Sequence, residues 1–262
     1  RPAFPLPADP EARSVSDRDT RTVMIVGATS DIARALAHTY AQHGANLQLA
    51  ARDHQRLQDD AADIRLRHNV EVTLHELDIL ELETFDAFVD GLDPLPDVVI
   101  CAVGLLGDQA KDQSDVKAQH TVMMTNYVGP SCLMGVFADR FETRGSGTLI
   151  GISSVAGDRG RAKNYIYGSA KAGFTAYLSG LSNRFGKSSV HILTVKPGFV
   201  QTKMTSSVDL PTFLTSMPKP LSTKIRYYEM RQRPVIYTSY LWRSLMVIIR
   251  ALPETMFRRL HF

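Results

Sequence analysis

Several broad classes of protein find little support in this chain. Two cysteines in 262 residues, Cys101 and Cys132, show no paired spacing, which argues against a disulfide framework and fits a reducing, cytoplasmic setting. They fall on an expected strand and an expected helix, and both are expected to pack as small buried groups. The eight histidines show no metal-ligand spacing, so no metal site is expected. A net charge of +3, spread along the chain, gives no reason to invoke nucleic acid. No internal repeat is visible. The apolar C-terminal stretch 240–252 is only 13 residues long, too short for the ~20 that cross a bilayer. Residues 1–20 carry Pro2, Pro5, Pro7 and Pro10 without a long apolar stretch, and read as a flexible lead-in or expression remnant, not a signal peptide. What remains is enough chain for one α/β domain with a sizeable core.

Within that frame, Tyr167 and Lys171 stand one helical turn apart, with Ser154 a short way upstream. Positions i and i+4 share a helix face, so the phenol and the ammonium project into the same space. A free phenol titrates near a pH of about 10 and is a poor base at neutrality. A nearby cation is expected to pull it toward the working range, and Ser154 to hydrogen-bond a carbonyl oxygen beside it. Such a set suits reduction of a ketone or oxidation of an alcohol. Ser153 lacks the matching spacing to Tyr167 and is expected to be structural. Tyr165 has Ser169, not a lysine, four residues on, and is expected at the surface or lining the pocket.

A phosphate-binding turn is expected earlier. Thr22 to Gly27 is a short apolar run ending on glycine, suited to a strand buried on both faces. Gly27-Ala28-Thr29-Ser30-Asp31-Ile32-Ala33 follows and leads into a helical pattern through Ala37, Tyr40 and Ala41. Glycine at a strand-to-helix turn admits a pyrophosphate, and the helix start offers unpaired amides and positive potential.

These residues, together with Val98 to Gly104, Asn126 in Met124-Thr125-Asn126-Tyr127-Val128-Gly129, Thr148 to Ser154 and Pro197-Gly198-Phe199-Val200-Gln201-Thr202, resemble the short-chain dehydrogenase/reductase family over residues 21 to about 205. The resemblance implies a single Rossmann-type, doubly wound parallel sheet flanked by helices, with the ligand site at the strands' carboxyl ends. It implies Asn126, Ser154, Tyr167 and Lys171 as the catalytic set. It also implies a cofactor site at Gly27, Thr29, Ser30, Asp31, Ile32, Arg52, Asp78, Ile79, Ala102, Gly104, Tyr167, Lys171, Pro197, Gly198, Val200 and Thr202. Two departures matter. Asp31 and Ala33 replace the second and third glycines of the family's turn, and the Asp31 carboxylate is tolerable near a pyrophosphate only if turned away, for instance capping the helix. Neither asparagine that usually ends the fourth strand is present.

Strands are expected near 22–27, 46–51, 70–77, 97–103, 146–153 and 189–196, with a seventh at Val235-Ile236-Tyr237. Helices are expected at 31–43, 53–67, 82–90, 112–142 and 164–186, the last two being the family's usual self-association surfaces, so a homo-oligomer is the default. Residues 21–205 form the cofactor-binding and catalytic core, and 206–262 a substrate lid and C-terminal extension of the same domain. Where NAD-selecting folds place a carboxylate after the second strand, this chain has Ala51 followed by Arg52. An arginine can grip a 2′-phosphate bidentately, so NADP(H) is expected over NAD(H), with Asp53 as a competing charge.

Substrate clues lie in 203–262. Met204, Phe213, Leu214 and Met217 make an apolar lid punctuated by Pro211, Pro218 and Pro220. Beyond it, Leu241, Trp242, Leu245, Ile248 and Ile249 stand against Arg243, Arg250, Arg258 and Arg259. Such an end could rest on an anionic membrane surface, cover a lipid tail, or pack on its own domain or a partner subunit. The pattern resembles a branch that includes decaprenylphosphoryl-keto-ribose reductases, implying a sugar ketone on a polyprenyl phosphate. A hydrophobic ketone or 3-ketoacyl thioester reductase is the alternative enzyme, and a non-catalytic dinucleotide sensor the alternative from another class.

Overall fold

The computed structural model describes residues 19–206 and 211–260. Residues 1–18 of the expected lead-in, 207–210 of the expected lid and the last two residues lie outside the described residues. Asp19, at the described N-terminal end, accepts a hydrogen bond from Arg21 Nε at 2.8 Å and lies 3.6 Å from Arg226.

The order is β1 (Thr22–Val26), α1 (Asp31–Gln42), β2 (Asn46–Ala51), α2 (Gln58–His68), β3 (Val72–Glu76), α3 (Phe85–Asp90), β4 (Val98–Cys101), α4 (Gln109–Asp112), α5 (Val116–Met123), α6 (Gly129–Arg144), β5 (Gly147–Ile152), α7 (Tyr165–Arg184), β6 (Val190–Lys196), β7 (Phe199–Val200), β8 (Thr215–Ser216), α8 (Pro218–Glu229), β9 (Val235–Tyr237), α9 (Tyr240–Ala251) and α10 (Glu254–Phe257). Among the described residues seven parallel strands form one sheet in the order β3-β2-β1-β4-β5-β6-β9. The order reverses between β1 and β4, so the crevice at their carboxyl ends is the topological switch point where ligands bind in such sheets.

Strand alternation builds the two layers. In β1, Val23 and Ile25 join the core under α1 and α2, while Met24 and Val26 join the opposite core with Phe137, Phe141 and Phe174. Both faces are covered, which is why these strands read as continuous apolar runs.

Two elements differ from expectation. The helix expected over 112–142 is divided: α5 passes through one π-turn, Met124–Val128, into α6. Pro130 has no N–H to donate to the carbonyl of Asn126, and the chain shifts to i→i+5 pairing, Gly129 N–H donating to Met124 O. Residues 218–229, read as proline-punctuated lid, form α8. Pro218 sits in the first turn, where the missing N–H costs nothing. Its Leu221 and Ile225 are buried in the core beside α1, and Ser222 Oγ lies 2.7 Å from Thr39 Oγ1. Cys132 also departs from expectation, since it is exposed on α6, whereas Cys101 is buried in β4.

Candidate active site

The turn after β1 is shaped by Gly27, whose φ of +78° suits glycine. A methyl group there would lie 3.0 Å from the Val103 side chain and from its backbone nitrogen, so a side chain would have to push Val103 aside. Ser30, not Asp31, caps α1, its Oγ accepting from Ala33 N–H at 3.2 Å. Asp31 is turned elsewhere: its Oδ2 accepts from the backbone N–H of Lys203 at 2.6 Å. The expected helix cap is therefore corrected to a tether on the loop after β7. Thr29 and Ile32 are half-buried in the same turn.

At the end of β2, Arg52 is exposed and lines a cavity of about 450 Å³ with Leu77, Asp78, Glu76 and Glu81. The expected interference from Asp53 is not seen: among the described residues no ion pair joins the two. Asp78 closes its own turn, Oδ1 accepting from Leu80 N–H at 3.0 Å, and Ile79 is buried beneath. Ala102 N–H donates to Val26 O at 2.9 Å, holding β4's exit against β1.

Ser154, Tyr167 and Lys171 come together where β5 ends and α7 begins. Ser154 stands in extended backbone just past β5, its Oγ accepting from Ala156 N–H at 3.1 Å. Ser153 faces away, its Oγ donating to Lys171 O at 3.0 Å. Tyr165 is exposed. Lys171 is buried, and its Nζ donates to Ile152 O at 3.1 Å and Val103 O at 3.3 Å while lying 5.8 Å from the Tyr167 ring centre. Gly104 faces the same space, a methyl there lying 3.8 Å from Lys171 Nζ and 3.4 Å from Asn126 Oδ1.

The electrostatics correct one expectation. Burial pushes Tyr167 up to about 12, and the Ser154 hydrogen bond offsets this only in part. Burial also brings Lys171 down to about 8. The ammonium is committed to two carbonyls, and burial of the phenol decides the direction of its shift.

Asn126 is fully buried, and its amide serves the chain: Nδ2 donates to Leu105 O at 2.7 Å and Val122 O at 2.8 Å, and Oδ1 accepts from Leu105 N–H at 3.1 Å. It fixes the loop leaving β4, over the π-turn that carries it. Pro197 O accepts from Val155 N–H at 2.9 Å, and Gly198 N–H donates to Thr238 Oγ1 at 2.8 Å. Val200 is buried, and Thr202 opens a reciprocal cap with Thr205.

Two supports of this loop were invisible in the sequence. A side chain on Gly198 would collide with the indole of Trp242, which stands edge-on to Phe199 at 5.1 Å and donates Nε1–H to Leu214 O at 2.9 Å. Lys196, just before Pro197, pairs with buried Asp158 at 2.5 Å, and Tyr237 OH donates to the other Asp158 oxygen at 2.8 Å. This pair joins the segment after Ser154 to the segment before Pro197. Neither Trp242 nor Asp158 has a local pattern linking it to its partner, so only the fold reveals them. The stretch 240–257 thus packs inward through Trp242, Met246, Ile249 and Phe257, while Leu241, Val247 and Ile248 face out.

A dinucleotide fits these residues: Gly27 lets the turn pass close to β4 at a positive φ, and the Asp31 carboxylate at the helix start is turned onto Lys203. Among the described residues no helix is long and apolar enough to cross a membrane. The profile described as short chain dehydrogenase matches residues 21–211. An uncharacterized oxidoreductase of Mycobacterium tuberculosis is 33% identical over 250 residues, covering 94% of this chain and 99% of its own. One from Streptomyces coelicolor is 33% identical over 246 residues, covering 92% and 96%. A short-chain dehydrogenase from Sphingobium yanoikuyae in complex with NADPH shares the fold at TM-score 0.76 and 22% identity, over 89% of this chain and 97% of that one. Another, from Burkholderia cenocepacia in complex with NADP, does so at TM-score 0.78 and 17% identity, over 92% and 97%. The chain belongs to the short chain dehydrogenase family, as an oxidoreductase of CH–OH groups that works with a nicotinamide dinucleotide.

Proposed function

We propose that the chain interconverts a ketone and a secondary alcohol, with Tyr167 as the acid and base. The carrying observation is the convergence of Ser154 and Tyr167 over buried Lys171 at the sheet's carboxyl edge. When bound, a reduced nicotinamide supplies hydride to the carbonyl carbon. Tyr167, whose raised pKa keeps its proton at neutral pH, donates that proton to the carbonyl oxygen. Ser154 Oγ–H donates a hydrogen bond to the same oxygen and polarises it. Lys171 supplies positive charge as the phenolate forms, and Asn126 acts as a positioning residue by holding the loop at Leu105. In the alcohol-oxidising direction the same groups act in reverse.

The residues that would hold the dinucleotide are those of the Gly27–Ile32 turn, Asp78, Ile79, Ala102, Gly104, Lys171 and the Pro197–Thr202 loop. NADP(H) is favoured because Arg52 is exposed just past β2, where such folds hold the adenosine ribose, and among the described residues it makes no ion pair. A lipid-linked or long-tailed carbonyl substrate is part of this reading. Outward-facing Leu241 and Ile248 beside Arg243 favour it, as they would a peripheral contact with an anionic surface, which co-sedimentation with anionic vesicles checks. Self-association through α6 and α7 is also part of it, to be read from the solution mass.

The deciding experiment follows NADPH absorbance over a panel of ketones and sugar ketones, with Tyr167→Phe alongside. The variant should keep cofactor binding and lose about 10²- to 10⁴-fold in turnover, the scale of general-acid removal. Near wild-type turnover would overturn the assignment.

A further inference from the structure

A second cavity of about 450 Å³ opens at the edge of the sheet, and none of the catalytic residues lines it. Its walls are α8, the edge strand β9 and the start of α9, which contribute Lys224, Tyr228, Arg233, Tyr240 and Arg243. Three cations thus line one cleft, and among the described residues no carboxylate does. Arg233 and Arg243 are exposed, and among the described residues neither makes an ion pair. Lys224 is half-buried, and burial lowers its pKa. Its Nζ lies 5.4 Å from the Tyr240 ring centre and 5.8 Å from that of Tyr228, and the two phenol oxygens are 3.3 Å apart. A cleft lined by charges of one sign concentrates ions of the other. Tyr240, 70% exposed at its mouth, adds an open aromatic ring on which a flat group stacks.

Two hydrogen bonds join this cleft to the cofactor loop. Lys224 Nζ donates to Thr238 O at 2.9 Å, and Thr238 Oγ1 accepts from Gly198 N–H at 2.8 Å. Thr238 itself is buried. The helix α9, which starts at the cleft with Tyr240, reaches the same loop through Trp242 against Gly198.

From this we infer that the cleft binds a small aromatic acid, its anionic group held by Lys224, Arg233 and Arg243 and its ring laid on Tyr240, and that the bound acid steadies the cofactor loop. An anion opposite Lys224 favours its charged form, and with it the hydrogen bond to Thr238. A carboxylate and a phosphate both carry that charge. The binding is independent of the proposed ketone–alcohol activity, whereas the effect on the loop rests on the cofactor site of that reading.

The test is calorimetric titration of the NADPH-saturated full chain with 3-phenylpropionate, phenyl phosphate, octanoate and 3-phenylpropanol. The double variant Arg233→Gln, Arg243→Gln should weaken both aromatic acids roughly 10- to 100-fold, the scale of hydrogen bonds to a charged group. Arg231 lies 4.1 Å over the Tyr227 ring, outside the cleft, so Arg231→Gln should change binding by about 2-fold at most. The alcohol should not bind, and octanoate should bind more weakly than 3-phenylpropionate. Tighter binding of 3-phenylpropionate than of phenyl phosphate assigns the carboxylate, and the reverse the phosphate. In a second titration, saturating 3-phenylpropionate should tighten NADPH several-fold in wild type and not in Thr238→Val, which lacks the hydroxyl that holds Gly198. Equal acid binding by wild type and the double variant, or octanoate bound as tightly as the aromatic acids, would overturn the site. So would binding that fades while the solution mass doubles with protein concentration, since a second copy would then close the cleft. Unchanged NADPH affinity in wild type would overturn the link to the loop. Because binding is read without turnover, failure of the whole ketone panel would sink the proposed activity and leave the site standing.

Discussion

Asp31, at the first turn of α1, holds the backbone N–H of Lys203 at 2.6 Å across 172 residues of chain. The residue that replaces a glycine of the phosphate turn is thereby also the anchor of the loop that follows Val200 and Thr202. Its charge acts against a bound pyrophosphate, while its hydrogen bond stabilises the loop. The two effects separate by substitution. Asp31→Asn keeps an acceptor and removes the charge, and should bind NADPH several-fold more tightly, on the scale of about 1 kcal/mol for a charge at a helix start. Asp31→Ala loses both, and should release NADPH faster than Asp31→Asn. Equilibrium titration and stopped-flow dissociation measure the two, and equal release rates for both variants would show that the tether does not control the loop.

Lys171 provides a pH test of the buried site. Its folded value of about 8 lies below the ordinary lysine value of about 10.4, so between these the unfolded chain binds more protons and stability rises with pH. Tyr167 has the opposite sign: from about 10 up to about 12 the folded state holds its proton and stability falls. The ligand-free protein should therefore gain stability from pH 8 to 10. Lys171→Met should lose that gain, changing the difference between the two proteins by on the order of 3 kcal/mol over the window. Absolute stability is a poor readout, because methionine leaves Val103 O and Ile152 O without their donor. Urea unfolding at pH 7, 8, 9 and 10 gives the slopes, and parallel curves would mean that Lys171 is not held in a desolvated site.

What the sequence made legible follows from distance along the chain. The inner strands β1 and β4 announce themselves because both faces are buried and the runs are apolar throughout, whereas the edge strands β3 and β9 are only partly buried and show as short β-branched runs. Tyr167, Lys171 and Ser154 are legible because helix periodicity and one short loop relate them. Spacing shows the phenol's proximity to a cation, whereas its burial and the commitment of Lys171 to two carbonyls appear only in the fold. Sequence offers Asp31 only a local partner at the helix start, whereas its partner in the fold is the backbone amide of Lys203 far downstream. The helix α8 was hidden by Pro218 and Pro220, which read as breaks but sit where a helix start tolerates them.

Arg52 should govern cofactor choice. Arg52→Ala removes a charge-assisted contact to the 2′-phosphate, costing NADPH roughly 1.5–3 kcal/mol of affinity and leaving NADH nearly unchanged. Glu76 and Glu81 line the same cavity and oppose the phosphate. The double variant Glu76→Gln, Glu81→Gln should therefore strengthen NADPH selectively. Parallel loss of both cofactors in Arg52→Ala would mean that the arginine serves the adenosine rather than its phosphate.

Trp242 is the chain's single tryptophan, and it sits against Gly198 and Phe199 of the cofactor loop. Intrinsic fluorescence therefore reports on that loop without labelling. NADPH binding should quench Trp242 emission, because a reduced nicotinamide held by the Pro197–Thr202 loop lies close enough to accept its excitation. Gly198→Ala forces a methyl into the indole. The ring must move, at the roughly 1–3 kcal/mol typical of overpacking, and its Nε1–H loses the Leu214 carbonyl. Emission of the ligand-free variant should shift to the red as the ring is exposed to water, and NADPH affinity should fall with it. Unchanged emission together with weakened NADPH binding would mean that Gly198 is needed by the cofactor alone. Shifted emission with normal binding would mean that α9 packs on the loop without supporting it.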